Sequence, residues 1–236
     1  MIKKIINKLL YCVSLLRNKW YIKYLRNKGI CIGSGCVFRN RGTIRVDTTR
    51  PSLVTIGNNV DFNRNFQLLT HDYTTSVFVR KYYSFINSSG RVNIGNNIVF
   101  GTDVIVLKGV TIGDNCIIGA GSIVSKSIPS NSVAVGRPAK VICSVDDFYE
   151  RRKTECINEA FEYVNSIIER YDREPYYEEF YEEFHLFVDK SNIHKYPKLP
   201  ISNQLGAGYV SWLENHKAMF DDFEMFVEEA KRHKVH

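Results

Sequence analysis

The sequence predicts a mainly β chain, a coil of short strands stacked rung on rung, with an N-terminal helix and an α-helical C-terminal extension. Three observations carry this. From Ile94 an apolar residue recurs every sixth position, at Phe100, Val106, Ile112, Ile118 and Val124. The residue that follows is small at most steps: Gly95, Gly101, Gly113, Gly119 and Ser125. From Ser144 onward this pattern gives way to helical spacing. A period of six fits neither a helix, at about 3.6, nor a single strand, at about 2. It fits a coil in which six residues make one strand and one turn, three such sides closing a triangular rung. The aliphatic residue points inward, and the small one lies where backbone is crowded or bends unusually. A fixed internal period marks a solenoid, whose stacked rungs bury one continuous core.

The first segment, residues 1–29, reads as a helical cap. Ile2, Ile5, Ile6, Leu9, Leu10, Val13, Leu16 and Trp20 fall near helical spacing. Residues 2–28 also carry Lys3, Lys4, Lys8, Arg17, Lys19, Lys23, Arg26 and Lys28, and no acid. An apolar face flanked by cations suits peripheral contact with an anionic membrane. A solenoid equally needs a cap over its open end. Both readings stand.

The coil is expected over 30–142. Ile32, Phe38 and Ile44 share one register, and Ile56, Phe62 and Leu68 resume it after an irregular step at Arg50–Pro51. Between Ile56 and Ile94 the frame slips by two residues, so something is inserted. The stretch 73–90 has no six-residue pattern and is the candidate. Long irregular loops in compact domains are often functional. Tyr73, Arg80, Tyr82 and Tyr83 would suit stacking on a sugar and pairing with its carboxylate, and a packing role against a neighbouring subunit is the alternative. Pro138 lacks the N–H needed to continue a ladder, so the coil ends near Val141. Residues 143–236 then form the extension, with helices expected at RRKTECINEAFEYVNSIIERY, YYEEFYEEFHLFV and AMFDDFEMFVEEAKRH. Phe220, Phe223, Phe226 and Val227 read as a core stripe.

Charge divides the chain. Residues 1–141 hold 20 Lys/Arg against 5 Asp/Glu, a net of +15, and residues 142–236 have a net of −8. The basic part suits an anionic cofactor, glycan or membrane surface. The acidic tail and the lack of a recognisable module argue against nucleic acid. The six cysteines form no CxxC pair, no metal-ligand spacing appears, and no apolar run reaches the roughly 18 residues of a membrane span. Free thiols in the cytoplasm are the expected state.

Three motifs in one register, IGNNIVFG (94–101), GVTIGDNCIIGAGSIVSKSIP (109–129) and VAVGRPAKVI (133–142), resemble the hexapeptide-repeat acyltransferases, of the polysaccharide and sugar O-acetyltransferase type. The resemblance implies a left-handed parallel β-helix, against the usual crossover preference. It also implies a homotrimer with acetyl-CoA as co-substrate, lying between subunits, and no metal. Thr102, Ala120, Ser125 and Lys126 would border the pantetheine arm and nucleotide, and Arg137 and Lys140 would face the phosphates. The chain departs from many members at Phe100, Ser125 and Cys143.

LLTHDY places His71 just before the inserted loop, as the one histidine of the coil region. The resemblance implies that it is the general base of an O-acetyltransferase, taking a proton from an acceptor hydroxyl. Asp72 is the sequence candidate for orienting the ring. The implied substrate is a sugar hydroxyl, in a surface glycan (capsular or lipopolysaccharide) or its precursor. An antibiotic or amino-sugar acetyltransferase is the nearest rival, and a catalytically silent scaffold the rival from another class. Cytoplasmic placement, including the inner face of the membrane, agrees with the basic N-terminal part.

Overall fold

The computed structural model describes residues 9–233. Two compact units divide the chain, Met1–Tyr149 and Glu150–His236.

In the first unit three parallel sheets form the three sides of a coil. The first contains β1 (Cys31–Ile32), β4 (Val54–Ile56), β7 (Val92–Ile94) and β10 (Thr111–Ile112). The second contains β2 (Val37–Phe38), β5 (Val60–Phe62), β8 (Ile98–Phe100) and β11 (Cys116–Ile118), and ends in β13 (Ser132–Gly136) and β14 (Ala139–Ser144). The third contains β3 (Arg45–Val46), β6 (Gln67–Leu68), β9 (Ile105–Val106) and β12 (Ile123–Val124). Successive strands visit the sheets in rotation through β12; the next turn touches the first sheet only by the Ile112–Ile128 bridge, β13 joins the second, and β14 turns back antiparallel on it.

The apolar period becomes three inward columns. Ile32, Ile56, Ile94 and Ile112 pair rung to rung. So do Phe38, Phe62, Phe100 and Ile118. Val46, Leu68, Val106 and Val124 form the third. The register expected for the first rung is corrected here: Ile44 is buried, yet Val46 is the partner of Leu68. A 3₁₀ turn at Arg41–Thr43 lengthens that side and moves the inward position along. The corners repeat as well. Gly35, Asn59, Asn97, Asn115 and Asn131 all have positive φ, a region Asn tolerates better than most residues. Beside them Asn58, Asn96 and Asp114 form a ladder, each side-chain oxygen accepting the backbone N–H of the rung before. Gly57 has no alternative, because a Cβ there would lie 2.4 Å from the Gly95 carbonyl oxygen.

Before the coil, residues 9–14 are helical and α1 runs Asn18–Asn27; residues 2–8 of the expected helix lie outside the described residues. The expected single helix breaks at 15–17. Arg41 donates to the carbonyls of Leu15 and Leu16 there. Asn18 then serves the open edge of β2, donating to the Cys36 carbonyl and accepting from the Phe38 N–H, both at 2.8 Å. An edge strand is thereby satisfied by a side chain.

The second unit packs the long helix α3 (Val145–Tyr171, begun in the first unit) with α6 (Phe223–Arg232). Phe223, Phe226 and Val227 are buried as the stripe predicts. Between them lie the short helices α4 (Ile201–Leu205) and α5 (Tyr209–Asn215). The helix expected at YYEEFYEEFHLFV is instead two 3₁₀ turns, Tyr177–Phe180 and Phe184–Leu186. Glu178, Glu179, Glu182 and Glu183 would stand as like charges four apart on an α-helix. Among the described residues no helix is long and apolar enough to cross a membrane.

Candidate active site

The corner that follows the third sheet collects the chemistry. Backbone N–H groups of Asp47, Leu69 and Leu107 donate upward to Leu68, Val106 and Val124 in turn, so successive rungs stack at this corner. The insertion leaves the coil here through a neck. His71 bridges Ser89 antiparallel, and Gly90 N–H donates to Thr70 O at 3.0 Å. What was expected as patternless loop contains α2 (Thr75–Tyr82). Residues 73–89 hold no Gly or Pro, and Asp72 Oδ1 starts the helix by accepting from Thr74 N–H and hydroxyl at 3.1 and 2.7 Å.

His71 Nδ1 lies 2.8 Å from Asp47 Oδ2, with side chains 18% and 7% exposed. Asp72 does not make this contact: its second oxygen meets the Lys108 ammonium, which also reaches the Ser88 hydroxyl. Asp72 and Lys108 thus fasten the neck, and Asp47, from the rung before, holds the ring. Asp47 accepts further from Thr70 N–H and hydroxyl on Oδ2 and from Thr49 N–H and hydroxyl on Oδ1. Burial pushes the Asp47 carboxyl up, but the hydrogen bonds from Thr70 and Thr49 outweigh it and hold the group well below the usual carboxylate range. An ionised Asp47 only accepts, so Nδ1 carries a proton; in the neutral ring that tautomer leaves the lone pair on Nε2. Among the described residues Nε2 has no hydrogen-bond partner.

His71 lines an open groove of about 490 Å³ together with Arg45, Val46, Leu68, Leu69 and Tyr73, among others. The Tyr73 ring stands edge-on to His71 at 5.3 Å. Of the expected acceptor residues, Tyr73 alone lines the groove. Arg80, Tyr82 and Tyr83 stand exposed on and after α2, with Lys81 over the Tyr82 ring. Thr102 and Ala120 share the opposite corner of the third sheet: a Cβ on Gly101 would touch Ala120 backbone, and Gly121 N–H donates to Thr102 O. Arg137 reaches this corner by donating to Gly121 O. Ser125 and Lys126 follow β12 on the His71 side. Lys140 lies on β14, exposed. Lys126, Arg137 and Lys140 have no salt bridge among the described residues, which fits cations available to phosphate. No His/Cys/Asp/Glu group suited to a metal occurs among the described residues.

Sequence reasoning missed Asp47, Arg45 and Lys108. The signal for Asp47 was present: taking Val46 as the inward residue puts Asp47 at the corner beside Leu69 and Thr70.

The Asp47 geometry has a pH consequence. A carboxyl depressed in the folded chain stabilises it above its ordinary value, 3.8, and that contribution is lost as pH falls below it. Asp47→Asn is expected to cost about 1–3 kcal/mol near pH 7. The gap from wild type should narrow as the solution is acidified, measured by thermal unfolding across pH. A gap independent of pH would mean that Asp47 is not held ionised.

A three-sided coil of stacked rungs, with a part-buried His–Asp pair at an open corner, defines a repeat protein of the solenoid class. Comparison places it further. Residues 91–126 match the family described as bacterial transferase hexapeptide (six repeats). Protein CapG of Staphylococcus aureus is 39% identical over 126 residues, 52% of this chain and 71% of CapG. The chain belongs to the hexapeptide-repeat transferase family. A Schizosaccharomyces pombe protein, provisionally described as an acetyltransferase, is 44% identical over 96 residues, covering 41% of this chain and 45% of that one. The chain thus spans between 45% and 71% of the length of these two relatives. Among solved structures, a maltose O-acetyltransferase from Clostridium difficile is similar over 58% of this chain and 83% of its own, at 30% identity and a TM-score of 0.43.

Proposed function

We propose that this chain is an acetyl-CoA-dependent O-acetyltransferase acting on a sugar hydroxyl, in a surface glycan or its precursor. The observation that carries the reading is His71 on the wall of the groove, its Nδ1 held by Asp47 and its Nε2 without a partner among the described residues. In this role Nε2 takes the proton of the acceptor hydroxyl while the oxygen attacks the thioester carbonyl carbon. The C–S bond then breaks and the imidazolium returns the proton to the departing thiolate. Asp47 keeps the tautomer and stabilises the imidazolium. Thr102, Ala120, Ser125 and Lys126 flank the third sheet at its two corners, and Arg137 and Lys140 add cations. That set suits an extended pantetheine with anionic phosphates.

Tyr73 is the residue best placed to meet the acceptor, and Arg80, Tyr82 and Tyr83 are assigned to outer contacts of a longer acceptor. The coil is taken as left-handed and the working unit as a homotrimer, with coenzyme between subunits. The domain division is 1–29, 30–142 and 143–236, and the cytoplasm is the compartment. Sequence resemblance to sugar O-acetyltransferases supports the acceptor class.

The test is thiol release from acetyl-CoA against mono- and oligosaccharides, aminosugars and antibiotics. Release with a hydroxyl acceptor, product ester by mass spectrometry, is the expected result. Release only with amines would transfer the chain to the amino-sugar or antibiotic class. Failure to bind acetyl-CoA would leave a silent scaffold.

A further inference from the structure

The helical segment before the coil has two apolar faces, and the coil uses one. Tyr21 and Leu25 are 2% and 1% exposed, and the Tyr21 ring meets the edge of Phe38 at 5.1 Å. Half-buried Tyr11, Leu15, Ile22 and Tyr24 pack on the same core. That closes the open end, which is all a cap must do.

On the other side Leu9, Leu10, Val13, Leu16 and Trp20 stand 37–69% exposed. Single exposed apolar residues need no explanation, but a grouped set does. Leu10, Val13 and Trp20 line one cleft of about 380 Å³, with Lys23 and Lys28 also on its wall. Exposed Arg17 lies over the Trp20 ring at 5.3 Å, and Lys19 is exposed beside it. Arg17, Lys19 and Lys23 have no salt bridge among the described residues.

We propose that this outward face docks on an anionic lipid bilayer. Leu9, Leu10, Val13, Leu16 and Trp20 enter the headgroup–acyl boundary, and Arg17, Lys19 and Lys23 meet lipid phosphates. The charge decides the occupant. A second copy would bring two sets of like cations together, whereas an anionic surface neutralises them. The inference is independent of the acetyltransferase reading.

Full-length protein is sedimented with vesicles of phosphatidylcholine alone, or with about one third phosphatidylglycerol, an anionic surface that recruits basic segments. Binding to the anionic vesicles only, weakened by salt, is expected. Leu10→Glu should abolish it with the thermal midpoint unchanged, since Leu10 is outside the capping contact. Lys19→Gln and Lys23→Gln should each weaken it about fivefold. Equal binding to both vesicle types, binding to neither, or binding indifferent to Leu10→Glu overturns the proposal. So does competition by inorganic phosphate, which would mark a soluble-anion site. Vesicle-free self-association lost in Leu10→Glu would give the face to a second copy instead.

Discussion

His71→Ala is expected to leave the chain folded and to lower turnover by about 10²–10⁴-fold, the usual worth of a positioned general base. The fold should survive because the ring is a corner residue, absent from all three inward columns. Asp47 keeps its bonds from Thr49 and Thr70 when the imidazole is gone. The loss should fall on turnover while acetyl-CoA affinity stays close to wild type, since the coenzyme candidates lie on other residues. Thiol release and equilibrium binding, measured on the same preparation, separate the two. Turnover within an order of magnitude of wild type would remove His71 from the reaction. Loss of both together would point to a collapsed corner instead.

Phe62→Ala should cost about 3–5 kcal/mol, the range for truncating a buried aromatic. Phe62 is fully buried and joins rungs in both directions. Its ring stacks on Phe38 at 4.4 Å and on Phe100 at 5.3 Å, with Phe66 edge-on at 4.7 Å. Each rung of a solenoid leans on its neighbours, so the cavity loosens three at once. Urea unfolding followed by far-UV circular dichroism measures the loss. A cost below about 1 kcal/mol, the scale of a surface change, would be incompatible with this column as a packed core.

The coil was legible because one period sets both packing and corner geometry, and Ile94 to Val124 repeats it without interruption. The first rung was less so. There the 3₁₀ turn at Arg41–Thr43 adds residues without a compositional mark, and the frame through Ile44 misses Val46. The same slip hid Asp47, so Asp72, adjacent in sequence, stood in for it. Stacking brings together residues a rung apart, and adjacency in the chain says little about that. Lys108 was hidden for the same reason: its partners Asp72 and Ser88 belong to the previous rung's insertion. The tail misled at 177–186 because an aromatic spacing that suits a helix coincides with carboxylates that oppose one.

The neck also separates two kinds of change. Ile56 and Ile94 pair directly although the chain between them makes a long excursion, and His71–Ser89 closes that excursion where it starts. Loop length and composition beyond the bridge are therefore mechanically decoupled from the rungs. Sequence drift in 75–87 can remodel what the groove's rim presents while Asp47 and His71 keep their spacing. The coil holds the proposed base and its carboxylate, and leaves the excursion free to diverge.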